Sequence, residues 1–277
     1  MFAILKKQNL GPNVNAFQIK APQIAQKAQP GHFVVIRLNA TGERIPLTLA
    51  DWDPSLGTIM IVCQTFGKTS FLLNQMEEGE EIADILGPLG TPLEVKKYGT
   101  VVLVGGGVGV PSILPKAKAL KAAGNKVISI MGARNKELLI LEEELASGSH
   151  EIHFTTDDGS YGQRGLVTDV LGELIASQKL DLVISVGPVP MMRATVDLAR
   201  KHKIPSIVSL NPIMVDGTGM CGCCRVRIDG ETKFACVDGP VFPGESVDFA
   251  ELANRLRYYK EEETQAMEGV HKCQCGK

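Results

Sequence analysis

The sequence predicts a small β-barrel, then an open parallel α/β sheet, then a small cysteine-rich module. Up to about residue 98 the apolar runs are short and bounded by Gly, Pro, Asn and Asp, the spacing of a small barrel. From Thr100 apolar runs alternate with helical patterns, which argues for parallel strands joined by crossover helices. After Leu210 the chain becomes Gly-rich, and four of its seven cysteines fall between Cys221 and Cys236. The divisions expected are 1–98, 99–210, 211–249 and a charged tail, 250–277.

Composition agrees with a globular chain. Its 277 residues correspond to about 1.8 typical domains. The hydrophobic fraction of 44% and charged fraction of 22% argue against disorder and coiled coil. Lys plus Arg number 29 against 31 Asp plus Glu, so the basic footprint of a nucleic-acid binder is missing. No window approaches 18 uninterrupted apolar residues, which argues against a membrane span. The N-terminus MFAILKKQNL has its apolar run before its lysines, the reverse of a secretory signal. A cytoplasmic address is expected, and there a cysteine cluster points to metal before disulfide.

In the barrel, HFVVIRL (32–38), TIMIVCQ (58–64) and EEIADIL (80–86) read as strands. ERIPLT (43–48) precedes a strand, GKTS (67–70) opens a helix, and GPLG (87–90) closes the domain. Taken singly, Arg44 could be a surface charge and GKTS a capped turn. In the second domain the order is VVLVG, a helix from about Ser112 to Ala123, VISIMG, a helix ending near Ala146, IHFTT, a helix from about Leu166, LVISVG, a further helix and SIVSL. Strands buried on both faces read as such continuous apolar runs.

VVLVGGGVGVPS places Gly105, Gly106, Gly107 and Gly109 between a strand and a helix, where backbone amides can hold a pyrophosphate. Pro111 suits the helix start. The strict dinucleotide fingerprint is not met: position 110 is Val, and no acidic residue follows the next strand. A second glycine turn, SVGPVPMM, puts Gly187 and Pro188 at a strand's carboxyl end, where open parallel sheets bind ligands. Met191 and Met192 fit either that site or the helix core. Asp157 and Asp158, in TTDDGSYGQRG, fit a nucleotide contact or a turn.

Asp216, Cys221, Cys224 and Cys236 follow D-x4-C-x2-C-x11-C, the plant-type [2Fe-2S] spacing with Asp in the first position. Gly217, Gly219 and Gly222 let backbone amides approach such a cluster, and the last ligand is expected from a neighbouring strand. Zinc on Cys221, Cys223, Cys224 and Cys236 is the competing reading. Asp216 is a harder donor than thiolate, so Cys223 is the alternative to it.

In order, Arg-x-Pro-Leu-Thr, Gly-x-Thr-Ser, Gly-Pro-Leu-Gly, GGG-x-G and Gly-Pro-x-Pro-Met resemble the ferredoxin-NADP reductase superfamily over roughly residues 1–249. Within it the cysteine module resembles that of dihydroorotate dehydrogenase electron-transfer subunits. With Asp216, and with GERIPLT, GARNKELL, DDGSYGQRG and MVDGTGMCG, it is similar to the small subunits of NADH-dependent reduced ferredoxin:NADP oxidoreductases, also called sulfide dehydrogenases.

That resemblance implies a flavoprotein oxidoreductase. Arg44 would contact FAD phosphates, with Pro46, Leu47 and Thr48 along the isoalloxazine and Thr48 near N5. Gly67, Lys68, Thr69 and Ser70 would hold the pyrophosphate, and Gly87 and Gly90 belong to the same cofactor set. Gly105, Gly106, Gly107, Gly109, Arg134, Asp157, Gly159, Gly187, Pro188 and Met191 would line NAD(H) or NADP(H), with the cluster on Asp216, Cys221, Cys224 and Cys236. Leu47 stands where many members place an aromatic residue against the flavin. The resemblance implies hydride exchange at FAD, single-electron transfer through the cluster, and a larger flavin and iron-sulfur partner subunit that reaches ferredoxin in an electron-bifurcating complex. The alternatives are a dihydroorotate dehydrogenase electron-transfer subunit, a stand-alone reductase, and a zinc-holding redox sensor without flavin. Cys273 and Cys275 belong either to a solvated tail or to a partner-docking end.

Overall fold

The structure, a computed structural model, describes the backbone of residues 1–275 and the side chains of residues 1–268. Seven antiparallel strands form the first sheet: β1 (Phe2–Gly11), β2 (Val14–Lys20), β3 (Phe33–Arg37), β4 (Arg44–Asp53), β5 (Thr58–Gln64), β6 (Glu81–Ile82) and β7 (Asp84–Leu89). Their order is β6-β1-β2-β5-β4-β3-β7. The two outermost strands, β6 and β7, are separated in sequence by Ala83 alone, so the sheet curls into a nearly closed barrel. Helices α1 (Pro22–Ala25) and α2 (Lys68–Gln75) accompany it. Alternate residues fill the interior, among them Phe17, Ile19, Val34, Ile36, Ile59 and Ile61, as a period of two requires.

Two sequence expectations shift here. ERIPLT does not precede a strand; from Arg44 onward it is the first half of β4, since Ile45 and Leu47 pack against the barrel core. EEIADIL is not one strand but two, broken at Ala83, whose N–H bonds Leu38 O.

The second sheet comprises β8 (Thr100–Gly106), β9 (Lys126–Ala133), β10 (Glu151–Thr156), β11 (Gln163–Arg164), β12 (Leu182–Val186) and β13 (Ser206–Ser209), all paired in parallel. Around it lie α3 (Val110–Ala122), α4 (Glu142–Gly148), α5 (Val167–Ser177) and α6 (Val189–Lys201). Val101 and Leu103 of β8 face the cluster that holds α3 and α4, whereas Val102 and Val104 face the one that holds α5. From β8 the chain runs outward through β9 to β11, then returns to place β12 on the other side of β8. The strand order therefore switches between β8 and β12.

The remaining segment supplies the hairpin β14 (Arg225–Ile228) and β15 (Glu231–Phe234), then β16 (Val241–Pro243), α7 (Phe249–Arg255) and α8 (Lys260–Cys275). β16 joins the second sheet, antiparallel to β13. Cys236 comes from the turn after β15, not from the strand itself, because the ladder ends at Phe234 and the N–H groups of Val237 and Asp238 turn back to Phe234 O. Among the described residues no helix is long and apolar enough to cross a membrane.

Strand β3 links the three parts. Val34 and Ile36 point into the barrel, while Phe33 and Val35 point outward into a core shared with Met192 and Val196 of α6 and with Cys224, Val226 and Cys236. On another side of the barrel, Val14, Ala16, Ala50 and Val62 pack into the core that contains α3. Replacing buried Phe33, 4% exposed, by Ala is expected to cost about 3–5 kcal/mol, read as a fall in the thermal midpoint of the whole chain.

Candidate functional site

On the barrel, the candidate groups gather where β4 begins. Arg44 is exposed and stands opposite Arg37 in the ladder. Arg37 is held by Asp84, whereas Arg44 forms no ion pair among the described residues and is available to an anion. Pro46, Leu47 and Thr48 are half-buried and pair with Val35, Val34 and Phe33. Gly67 caps α2, and Ser70 Oγ accepts from the N–H groups of Phe66 and Gly67 at 2.9 and 3.0 Å. Thr69 Oγ1 donates to Glu43 Oε2 at 2.9 Å, which ties the start of β4 to the first turn of α2. Sequence reasoning missed Glu43, although it directly precedes Arg44 in GERIPLT. A Cβ at Gly67 would meet nothing within 4 Å, so an open cradle lies beside helix amides that have no partner within the helix. Exposed Lys68 stands at its rim. This fits a flavin diphosphate.

Gly87 and Gly90 have packing reasons of their own. A Cβ on Gly87 would lie 2.7 Å from Val34 Cγ1, and one on Gly90 2.8 Å from Gly239 O. Gly90 therefore admits the cysteine segment, to which Thr91 is bonded through its N–H to Gly239 O at 2.6 Å and its Oγ1 to Val237 O at 2.9 Å.

At the carboxyl edge of the second sheet the two glycine turns pack on each other. A Cβ on Gly109 would lie 2.1 Å from Val186 O, one on Gly106 2.4 Å from Met191 Sδ, and one on Gly187 2.6 Å from Met191 Cε. Gly105 makes room for Ile113. The missing last glycine of the fingerprint is explained: Gly109 supplies the close approach, and Val110 is buried in the core. Gly107 differs, since it has φ +53° and nothing within 4 Å of its Cβ position. It faces open space at the switch point, where such sheets bind ligands. Pro188 caps α6, Met192 is core and Met191 plugs the crossing of the turns.

The loops after β9 and β10 meet beside this edge. The N–H groups of Asp157 and Asp158 bond Ala133 O and Arg134 O, and Ser160 Oγ accepts from Lys136 N–H at 2.9 Å. Asp158 is a turn residue: its Oδ1 accepts from Ser160 N–H at 2.9 Å, and hydrogen bonds from Ser160 hold its carboxyl below the usual range. Asp157 and Arg134 expose their side chains on the rim, and Gly159, with φ +77°, lies against Arg164. Asn135 Oδ1 and Ser185 Oγ are buried without a hydrogen-bond partner among the described residues. Orphaned polar atoms at the ends of β9 and β12 suit a polar ligand.

In the cysteine module, Cys224 and Cys236 are both 2% exposed and their sulfurs lie 3.1 Å apart as free thiols. Burial and the adjoining Cys224 thiol push Cys236 up to about 12. Cys221 is exposed and Cys223 half-buried; burial and the Cys221 thiol raise Cys223. Asp216 accepts from Thr218 N–H and Cys221 N–H, each at 2.8 Å, and these bonds lower its carboxyl. The structure thus brings Cys224 and Cys236 together as a buried pair and holds Cys221 and Asp216 on one turn. Among the described residues no three of these groups converge to ligating distance. The donor set still fits iron, which binds thiolates and whose binding drives thiol deprotonation. Left-handed glycines at 217, 219 and 222 keep side chains out of the loop.

Residues 211–248 match the iron-sulfur cluster binding domain of dihydroorotate dehydrogenase B. A Thermotoga maritima homologue of the dihydroorotate dehydrogenase B (NAD(+)) electron transfer subunit is 50% identical over 260 residues, 94% of this chain and 92% of the relative. The Bacillus caldolyticus electron transfer subunit is 39% identical over 228 residues, 79% of this chain and 86% of its own. The chain belongs to the dihydroorotate dehydrogenase B electron-transfer subunit family. It is an oxidoreductase subunit of the electron-transfer kind. Among solved structures, a chain of the NADH-dependent reduced ferredoxin-NADP oxidoreductase, studied for flavin-based electron bifurcation, matches with TM-score 0.93 and 47% identity, covering 98% of both chains. The expected superfamily fold is met more distantly too: an Amycolatopsis cytochrome P450 reductase matches with TM-score 0.63 at 18% identity, over 73% of this chain and 66% of its own.

The two kinds of glycine in this family member separate by mutation. Gly109→Ala drives a methyl against the Val186 carbonyl and is expected to lower the thermal midpoint strongly. Gly107→Ala meets only the left-handed backbone penalty of about 1–2 kcal/mol and should fold, with its loss confined to dinucleotide affinity measured by titration.

Proposed function

We propose that this chain exchanges a hydride with NAD(H) or NADP(H) at a bound FAD and passes electrons singly through a [2Fe-2S] cluster to a larger flavin and iron-sulfur subunit. That partner reaches ferredoxin within an electron-bifurcating complex. The observation that carries the reading is the seat of the cysteine loop on the barrel. A Cβ on Gly217 would lie 2.8 Å from Leu89 Cδ1 and 2.9 Å from Val35 Cγ2, and Val35 is the ladder partner of Pro46. The metal-binding loop is therefore one strand away from the strand proposed to carry the flavin.

When bound, FAD takes electrons as a pair from nicotinamide and releases them one at a time, and an iron-sulfur cluster carries one. The chain's own residues position these groups. Arg44, Gly67, Lys68, Thr69 and Ser70 hold the flavin diphosphate, and Ser70 fixes the turn by accepting from two backbone N–H groups. Pro46 and Thr48, on the outer face of β4, would offer a half-buried edge to the ring, with the Thr48 hydroxyl toward its N5, while Leu47 turns its side chain into the barrel core and would meet the ring only through its backbone. Gly105, Gly106, Gly107, Gly109, Gly187 and Pro188 set the dinucleotide floor, Met191 packs beneath it, and Arg134, Asp157 and Gly159 form its rim. Asp216, Cys221, Cys224 and Cys236 ligate the irons, with Asp216 ordering the turn that presents Cys221. Gly87 and Gly90 shape the barrel end so that the cysteine loop can close on it.

The second reading is the electron-transfer subunit of a dihydroorotate dehydrogenase, favoured by the relatives of that name and opposed by Asp216 in the first ligand position. Dihydroorotate-dependent turnover with a co-purified partner would decide for it. The side chains of Cys273 and Cys275 lie outside the described residues, and their docking role is left to that co-purification.

The anaerobically purified chain is expected to show flavin absorption and about two irons, bleached by NADH; a colourless, zinc-containing protein would sink the proposal. Asp216→Ala is expected to lose iron, while Asp216→Cys and Cys223→Ala keep it. Iron loss from Cys223→Ala with retention in Asp216→Ala would move the ligand role to Cys223.

A further inference from the structure

Helix α3, which starts directly after the 107–109 turn, contains a fully buried lysine. Lys116 is 0% exposed, and its Nζ donates to Ser112 O and Ser112 Oγ, both at 2.8 Å. Both acceptors are neutral. Helical side chains lean toward the N-terminus, and these bonds hold the amine level with Ser112, the third residue of the helix. Gly109 lies three residues earlier, roughly 4.5 Å along the axis at helical rise. The amine is thus placed behind the turn proposed to hold the dinucleotide pyrophosphate.

Charged groups on the elements packed against α3 are engaged elsewhere or point to solvent. On β4, Asp51 pairs with Lys118 at 2.7 Å, Asp53 accepts from Ser55 and Leu56, and Arg44 is exposed. On α4, Glu142 accepts from Tyr161, and Glu143 and Glu144 are exposed. On β9, Lys126 bonds Gln178, and on α3 itself Lys121 bonds Ser147 O and Ser149 O. β8 and β12 have no charged residue. Lys116 has no carboxylate partner among the described residues. Burial pushes its ammonium down to about 7, because desolvation disfavours the charged form.

We propose that Lys116 is a proton-linked, anion-reading residue of the dinucleotide site: a pyrophosphate at the 105–109 turn draws a proton from solvent onto its Nζ, so affinity is higher when this lysine is charged. The inference rests on the dinucleotide reading of that turn. Lys116 touches no ligand and acts as a positioning charge through the helix end. The only bond made is N–H, and the proton comes from the buffer.

Calorimetric titration of NAD+ into the oxidised full chain tests it, in buffers of different ionisation enthalpy and from about pH 6 to about pH 9. A wild-type affinity that weakens about tenfold across that range, with fractional proton uptake near neutrality, is expected. Lys116→Met should bind with a pH-independent affinity close to the wild-type value at high pH. The folded lysine releases its proton below the unfolded value, so between about pH 7 and 10 the unfolded chain holds more protons and stability rises with pH. The wild-type thermal midpoint should therefore climb relative to Lys116→Met over that window. Buffer-independent binding by the wild type, or the same pH dependence in the variant, overturns the role of Lys116 and leaves the dinucleotide site standing. No NAD+ binding by the wild type at any pH overturns both.

Discussion

Strand β3 is buried on both faces, and the relation between the barrel and the metal-binding loop depends on it. A barrel strand ordinarily alternates apolar and polar residues, one face in and one out. Phe33 and Val35 break that rule because their outward faces pack with Cys224, Val226 and Cys236. The same strand hydrogen-bonds β4, which holds Pro46, Leu47 and Thr48. One strand thus fixes both the bed of the cysteine loop and the edge proposed for the flavin, and distance between redox groups becomes a property of a ladder register rather than of a flexible linker.

The glycine turns show how one backbone requirement can stand in for another. Gly106, Gly109 and Gly187 are glycines because the turns of β8 and β12 and the Met191 side chain press together. The floor of the ligand edge is built by chain meeting chain, and only Gly107 opens onto empty space. Close approach of helix to strand, which the usual fingerprint assigns to its last glycine, is met here by Gly109, which leaves Val110 free to join the core.

Much of this was legible in the residues. Continuous apolar runs such as VVLV and LVISV announced parallel strands buried on both sides, and the D-x4-C-x2-C-x11-C spacing singled out the module that packs against β3. ERIPLT reads as lying before a strand rather than in its first half because Pro46 interrupts the alternation, a residue that donates nothing to a ladder yet sits within β4. The break at Ala83 has no local signal because Ile82, Ala83, Ile85 and Leu86 are continuous in sequence but for Asp84, and the two strands part only where the barrel's edges meet. Cys236 reads as a strand residue because it lies in the apolar run FACV (234–237), but the ladder stops at Phe234 and Asp238 Oδ2 accepts the N–H of Phe234 at 2.6 Å, closing a turn. Glu43 and Lys116 had no local signal: one needed Thr69 from a distant helix, and the other needed the burial of a whole helix.

The antiparallel strand β16 also protects the sheet it joins. It lies against β13 on the outermost side of the parallel sheet, where an uncovered row of N–H and C=O groups invites pairing with other molecules. A reductase ending before the cysteine segment would leave that row open. The metal module is therefore also a hem, and a chain trimmed of it would expose the β13 edge to pairing with other molecules, a cost separate from any loss of electron transfer.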